Sequence, residues 1–313
     1  MSKRTLYLIG ILVTILIGTY FFWKLCCSSC CDTVQYNENI VQPANTKKEV
    51  DIKIATGNEF VVSDAVGDFN YSSSNNFDFN SSEATYLEPL SDGVRVGIDT
   101  LKTYFSENPN KYLNITGWYT SEEENKSAFP NLGIARANSI KNYLVSSGIP
   151  SNKINTLGAL HDDMVLDKTT YRGPVSFGIK TVDETLQEKE TEEMNALRDR
   201  IRNNPLVLHF NSGATSITLS ETQRKKFADI STYLDKVTGA TIKITGHTDN
   251  TGSGETNFLL GKKRTEFAKA YFTKNGIDAT KIKTISRGPD DPIASNKTEA
   301  GRSKNRRTVI TIN

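Results

Sequence analysis

The sequence predicts an α+β protein: two successive β-α-β-α-β units, each with one further strand and each an α/β sandwich, behind a single apolar membrane span. Three observations carry this expectation. Residues 5–23 contain no charge. Short blocks of residues recur later in the chain, in the same order and at a nearly constant offset. Along each copy, apolar residues switch between the period of two of a strand and the 3.6 of a helix.

The chain opens with residues 1–4, a short tail carrying Lys3 and Arg4, and continues as TLYLIGILVTILIGTYFFW over 5–23. At 1.5 Å per residue this stretch matches a hydrocarbon core of about 30 Å. Lys3 and Arg4 precede it and Lys24 alone follows, which places the tail in the cytoplasm and the rest across the membrane. Tyr20, Phe21, Phe22 and Trp23 gather at the far end, where aromatic rings favour the interface. A cleaved signal peptide is expected to have a shorter apolar region, roughly 7–15 residues, and an A-x-A-like cleavage site. Neither is met, so an uncleaved anchor is expected, and a helical span argues for the inner membrane.

Cys26, Cys27, Cys30 and Cys31 follow at once and are the only cysteines. Leu25 and Cys26 stand where a lipoprotein signal needs a small residue before the modified cysteine. Several fates stay open for these thiols: disulfides in an oxidising compartment, acylation beside the membrane, a Cys27-x-x-Cys30 metal site without a second pair, or free thiols that end the anchor. Residues 24–50 are polar and aperiodic, so they read as a tether.

The remaining length suits about two domains at roughly 100–200 residues each. Thirty-eight basic residues against 36 acidic give a net charge of +2. A nucleic-acid binder shows a basic excess or stripe, and none is present. The repeats then divide the chain. Phe79-Asn80-Ser81 returns as Phe210-Asn211-Ser212, and Ile115-Thr116-Gly117 as Ile244-Thr245-Gly246. Gly148-Ile149, Lys153-Ile154 and Thr156 return as Gly276-Ile277, Lys281-Ile282 and Thr284. A first copy over 51–182 and a second over 205–313 result. Residues 183–204 read as a connecting helix, charged except for a stripe of Met194, Leu197 and Ile201.

In the second copy a strand is expected at 206–210, after Pro205. Ser220 caps a helix reaching 237, with Phe227, Ile230 and Leu234 on one face. A strand at 241–245 precedes a helix over 259–275, with Phe267, Ala270 and Tyr271 inward and Gly276 closing its end. Strands at 281–287 and 308–312 complete the unit. Gly252-Ser253-Gly254 lacks the context of a dinucleotide fingerprint and reads as a loop. His161, His209 and His247 are far apart and form no metal-ligand pattern. With no nucleophile elbow or catalytic pair, neither an enzyme nor a cofactor is expected.

The second copy carries three ordered blocks: GHTDNTG over 246–252, then Asn257-x-x-Leu260-Gly261-x-x-Arg264-Thr265, then Asn305-Arg306-Arg307-Thr308-Val309. Together they resemble the OmpA-like C-terminal domain family, with its TDxxG, NxxLSxxRA and NRRV pattern. Gly261 replaces the usual Ser, Thr265 the usual Ala, and Thr308 is inserted before Val309. The resemblance implies binding to the diaminopimelate of peptidoglycan stem peptides. Asp249 would accept from the ligand's ammonium, and Arg264 would fork onto its carboxylate, a planar bidentate task. Thr248 and Asn257 would shape the loop, Asn211 would add a contact, and Arg307 would buttress the site or touch the wall. An internal Asp249–Arg264 ion pair is the bland alternative.

The first copy keeps Leu132-Gly133-x-x-Arg136 and Ala137, but Trp118-Tyr119-Thr120 stands where His247-Thr248-Asp249 does. Glu122–Glu124 lie nearby as candidate substitutes for the missing aspartate, and Gly173-Pro174-Val175-Ser176 replaces the Asn-Arg-Arg block. It reads as a degenerate OmpA-like domain serving as spacer, dimerisation surface or docking module. The expected whole is a single-pass protein of the bacterial envelope with its C-terminal domains in the periplasm, tethering the membrane or a complex to the wall. Its expected partners are the stem peptide, the membrane through 5–23, an envelope protein through 51–182 and a further copy of itself; nucleic acid is not among them. In an alternative, the first copy recruits a partner of a secretion or motility machine and wall binding only localises it. A motor stator ranks lower, because the span has no Asp or Glu to carry protons.

Overall fold

The computed structural model describes residues 58–67, 69–216 and 218–313, all within one compact unit, Lys53–Asn313. The expected span at 5–23, the tether at 24–50 and the four cysteines lie outside the described residues. Among the described residues no helix is long and apolar enough to cross a membrane.

The fold is mixed α/β: among the described residues there are two main sheets, of three and four strands, and two further two-stranded ones. The first lobe begins with β1 (Phe60–Ser63), β2 (Asn70–Ser73) and β3 (Phe79–Asn80). It continues through α1 (Asp92–Glu107), β4 (Lys111–Tyr119), α2 (Leu132–Ser146), β5 (Ile154–Leu160), β6 (Thr170–Tyr171) and β7 (Val175–Thr181). Its main sheet has the order β5-β4-β7, with β4 parallel to β5 and antiparallel to β7. Strand β4 alternates, burying Leu113 and Ile115 beneath α1 and α2. Ser91 and Asn131 cap those helices by accepting from Val94 and Ile134 N–H.

Helix α3 (Glu184–Asn203) leads onward, burying Leu197 and Ile201 with Met194 half-buried beside them. The second lobe comprises β8 (Leu206–His209), α4 (Glu221–Lys236), β9 (Ile242–His247), α5 (Gly254–Lys274), β10 (Ile282–Gly288), α6 (Glu299–Asn305) and β11 (Arg307–Ile312). Its sheet order is β10-β9-β11-β8. Here β9 is parallel to β10 and antiparallel to β11, so β4, β5 and β7 share the directions of β9, β10 and β11. Ser220 and Gln223 form a reciprocal capping box on α4, which buries Phe227, Ile230 and Leu234.

A close approach of backbones fixes each sheet to its second helix. A Cβ added at Gly246 would sit 2.4 Å from the Gly261 carbonyl oxygen, and one at Gly117 would sit 2.1 Å from that of Gly133. Only glycine permits such contact, and it sets where the arginine one turn along each helix arrives. The lobes share a core: Phe129, Leu132 and Ala135 pack with Leu206, Phe227 and Phe272. Phe129 meets Phe227 edge-on at 5.2 Å, Lys141 ion-pairs with Asp235, and Arg224 donates to the Asn125 carbonyl at 2.7 Å.

Three expectations need correction. Helix α5 starts at Gly254 rather than 259, because the Ser253 hydroxyl accepts from Thr256 N–H and caps it earlier. Gly252, with φ +91°, makes the turn before it, so only part of the glycine-serine stretch is loop. Ala270 is exposed; Ala268 and Phe272 are buried in its place, while Phe267 and Tyr271 are half-buried against the core. Helix α6 was not expected at all. It is short and follows Thr298, whose hydroxyl accepts from Gly301 N–H.

Candidate functional site

Strand β9 ends at His247, and the next residues curl over the top of the sheet. Thr248 N–H donates to the Gly288 carbonyl at 2.8 Å, and its hydroxyl to the Asp249 carbonyl at 2.8 Å. Asp249 Oδ1 accepts from Thr251 N–H at 2.9 Å, an Asx-type turn. Asn257, buried on the first turns of α5, donates to the Thr251 carbonyl at 3.0 Å and ties the loop to the helix. Thr248 and Asn257 therefore shape the loop through backbone groups.

Arg264 projects from α5 one turn beyond Gly261 and is 0% exposed. Its guanidinium sits in a cage of backbone carbonyls. Nε donates to Ala214 at 3.0 Å, Nη1 to His247 at 3.1 Å and Nη2 to Asn211 at 3.2 Å. Its carbon lies 4.8 Å from the Phe210 ring centroid, a cation–π contact. Three of its five N–H groups are thus satisfied by protein. Among the described residues no carboxylate lies within ion-pair distance of it. Burial accordingly pulls its pKa down to about 10, with Asp249 opposing the shift through space and Arg306 adding to it.

Asp249 does not pair with Arg264. Its Oδ2 accepts from Arg306 Nη1 at 2.9 Å, between side chains 9% and 7% exposed. Burial favours the protonated acid, but the Arg306 hydrogen bond and the Thr251 N–H hold the carboxyl below its ordinary value. Arg306 also reaches Glu299 at 2.6 Å and the Phe210 carbonyl at 3.3 Å. Asn211 contributes its backbone carbonyl to the arginine cage, while its side chain is exposed. Arg307 is buried and donates to the Asp291 carbonyl at 3.1 Å and that of Asn305 at 3.4 Å; it buttresses the loop behind the site.

The structure thus gathers Asp249, Arg264, Thr248, Asn257 and the Asn211 backbone at one end of the second sheet. It adds residues that the sequence reading did not place there. Arg306 holds Asp249. Asn305 accepts from Ile293 and Ala294 N–H at 2.8 and 3.0 Å and so fixes the approach to α6. His247 is buried, its Nδ1 has no partner among the described residues, and desolvation followed by Arg307 lowers its pKa to about 4. The Asn305-Arg306-Arg307 block was visible. Which arginine faces the site depends on where α6 ends and β11 begins, and motif spacing does not give that. Arg264 and Asp249 thus present a buried cation and a buried anion that do not pair with each other.

Residues 209–306 match the OmpA family. The chain is 28% identical over 168 residues to the peptidoglycan-associated lipoprotein of Buchnera aphidicola, which covers 53% of this chain and 87% of that protein. It is 38% identical over 78 residues to the Haemophilus influenzae protein of that name, covering 25% and 51%. It is 37% identical over 103 residues to the peptidoglycan-binding protein ArfA of Mycobacterium bovis, covering 33% and 31%. The match spans about half the Haemophilus protein and less of the mycobacterial one. Among solved structures, the peptidoglycan-associated lipoprotein of Burkholderia pseudomallei is similar at 25% identity and a TM-score of 0.32, covering 34% of this chain and 89% of that one.

Proposed function

We propose that the OmpA family domain at residues 209–306 binds peptidoglycan by taking the amino-acid head of a stem-peptide diaminopimelate between Asp249 and Arg264. The relatives named for peptidoglycan support wall binding by such a domain. The observation that carries the finer reading is the Arg264 cage: a fully buried guanidinium with two N–H groups that no acceptor among the described residues takes. An unpaired buried charge is costly, and a ligand carboxylate seated there offsets that cost with a charge-assisted fork. The Asp249 carboxylate accepts from Arg306 and from the Thr251 N–H and hydroxyl, and an ammonium would take a remaining lone pair.

In this reading residues 5–23 anchor the chain in the inner membrane, the polar stretch after them spans periplasm, and the second lobe moors the assembly to the wall. The first lobe is a degenerate tandem copy. Sedimentation of the full chain with purified wall sacculi tests the proposal. Wild type should pellet with the wall, and Asp249→Asn and Arg264→Lys should stay in the supernatant while keeping wild-type circular dichroism. Undiminished pelleting of both folded variants would remove the mechanism.

A further inference from the structure

Arg136 of the first lobe repeats the surroundings of Arg264 bond for bond. Its Nε donates to the Glu83 carbonyl at 3.2 Å, as Arg264 does to Ala214 at 3.0 Å. Its Nη1 donates to Trp118 at 2.7 Å, as Arg264 does to His247 at 3.1 Å. Its Nη2 donates to Asn80 at 3.4 Å, as Arg264 does to Asn211 at 3.2 Å. Phe79 lies 5.3 Å from its guanidinium carbon, as Phe210 lies 4.8 Å from that of Arg264. Both arginines are 0% exposed.

Two features separate the cages: the Tyr171 ring also lies 5.5 Å from the Arg136 guanidinium carbon, and, among the described residues, an acidic side chain enters only the first. The Glu123 carboxylate forks onto Arg136, with Oε2 3.1 Å from Nη1 and Oε1 2.5 Å from Nη2. All five N–H groups of Arg136 are thereby used, whereas two of Arg264 have no acceptor among the described residues. Glu123, its side chain 1% exposed, also accepts from Thr120 N–H and Ser82 N–H, each at 2.9 Å. By the repeat, Thr120 corresponds to Asp249 and Ser82 to Gly213. Among the described residues neither of those backbone N–H groups has an acceptor. The repeat also sets Glu123 against Gly252, where an added Cβ would meet nothing within 4 Å. Glu123 does not replace the missing aspartate; it occupies the place of an incoming carboxylate.

We propose that the first lobe contains a preformed carboxylate-binding cage, built by Arg136 with the Thr120 and Ser82 N–H groups, which the chain plugs with its own Glu123. Withdrawal of that side chain leaves a site for one small carboxylate of the size of formate or acetate. Gly252 keeps the equivalent space in the second lobe open. The inference deepens the reading of Arg264 as a carboxylate acceptor and rests on it for the comparison. Its test alters Glu123 alone and leaves the second lobe unchanged, so the two fail separately.

The test is thermal unfolding of the full chain as wild type, Glu123→Ala and Glu123→Gln, in formate and in chloride at equal ionic strength. Wild type sets the baseline, including any formate taken up at Arg264. Glu123→Ala should unfold at a lower temperature in chloride. It should then gain roughly 3–6 °C more than wild type does at about ten times the half-saturating formate concentration, and the gain should saturate. Should this variant fold only with formate present, the inference is equally supported. Glu123→Gln, which fills the volume without charge, should be less stable than wild type and gain nothing beyond the baseline. The proposal is overturned if formate affects Glu123→Ala no more than wild type, if that variant stays unfolded in formate as in chloride, or if Glu123→Gln is as stable as wild type.

Discussion

Replacing Arg306 by Met is the most informative single perturbation of the second lobe, because it leaves Asp249 buried without its charged partner. The pair lies between side chains 7% and 9% exposed, so solvent does little to replace the lost bond. Breaking a buried pair by removing one member costs about 3–5 kcal/mol. The second bond of Arg306, to a Glu299 side chain 65% exposed, adds little. At about 2–4 °C per kcal/mol for a unit of this size, the unfolding midpoint should fall by roughly 6–20 °C at pH 7. The sign of the pH dependence follows from Asp249. In wild type its folded pKa is depressed, so its contribution is present above the ordinary carboxylate range and is lost as pH falls through the folded value. Without Arg306, burial dominates and raises that pKa. The difference between variant and wild type should therefore shrink as pH falls from 7 toward 4, where the orphaned carboxyl is protonated. Urea denaturation across that range reads it directly. Adding Asp249→Asn to Arg306→Met should recover part of the loss at pH 7. A loss below about 1 kcal/mol, or one independent of pH, would refute the assignment of Arg306 as the group that keeps Asp249 ionised.

The neutral His247 imidazole gives a second pH signature. Its folded pKa of about 4 lies below the ordinary imidazole value of 6.5, so the unfolded chain binds the extra proton first. The associated stability is complete above about pH 6.5 and is lost toward pH 4, up to about 3 kcal/mol, and His247→Gln should flatten that slope in urea titrations. Gly246→Ala should cost about 1–3 kcal/mol, because the added carbon meets the Gly261 carbonyl oxygen. The same variant should weaken wall sedimentation by levering α5, and Arg264 with it, off the strand; unchanged binding and stability would contradict the close approach. Lys141→Met removes the ion pair with Asp235 across the lobes. With the Asp235 side chain 20% exposed the loss should be about 1–3 kcal/mol, and an unchanged unfolding midpoint would show that the lobes do not depend on it.

Periodicity exposed much of the fold, since the elements with strong patterns are those whose one face is buried. Helix α4 is marked by Ser220 and by Phe227, Ile230 and Leu234, all of which the structure buries or caps. The early start of α5 was hidden because Gly254 opens it, a poor helix former whose place is secured by the Ser253 cap. The stripe of α5 misled because polar residues occupy its buried side near the site: Asn257, Arg264 and Thr265 are buried there beside Gly261. At the site, residue identities were legible but their pairing was not. The sequence assigns Asp249 and Arg264 to the two ends of a ligand but does not show that Arg306 takes the aspartate and backbone carbonyls the arginine. Carbonyl acceptors leave no trace in side-chain identity, so the cages around Arg264 and Arg136 were invisible until the backbone was placed.

The central claim is that Arg264 reads a ligand carboxylate, and one comparison of affinities tests it most directly. A stem peptide ending in meso-diaminopimelate carries that carboxylate, and the same peptide with lysine keeps the ammonium but lacks it. Losing a hydrogen bond to a charged group costs about 1.5–3 kcal/mol, so calorimetric titration of the full chain should favour diaminopimelate by roughly tenfold or more. In a folded Arg264→Met chain the preference should vanish. Equal affinity of wild type for both peptides, or a preference that survives in Arg264→Met, would contradict the account.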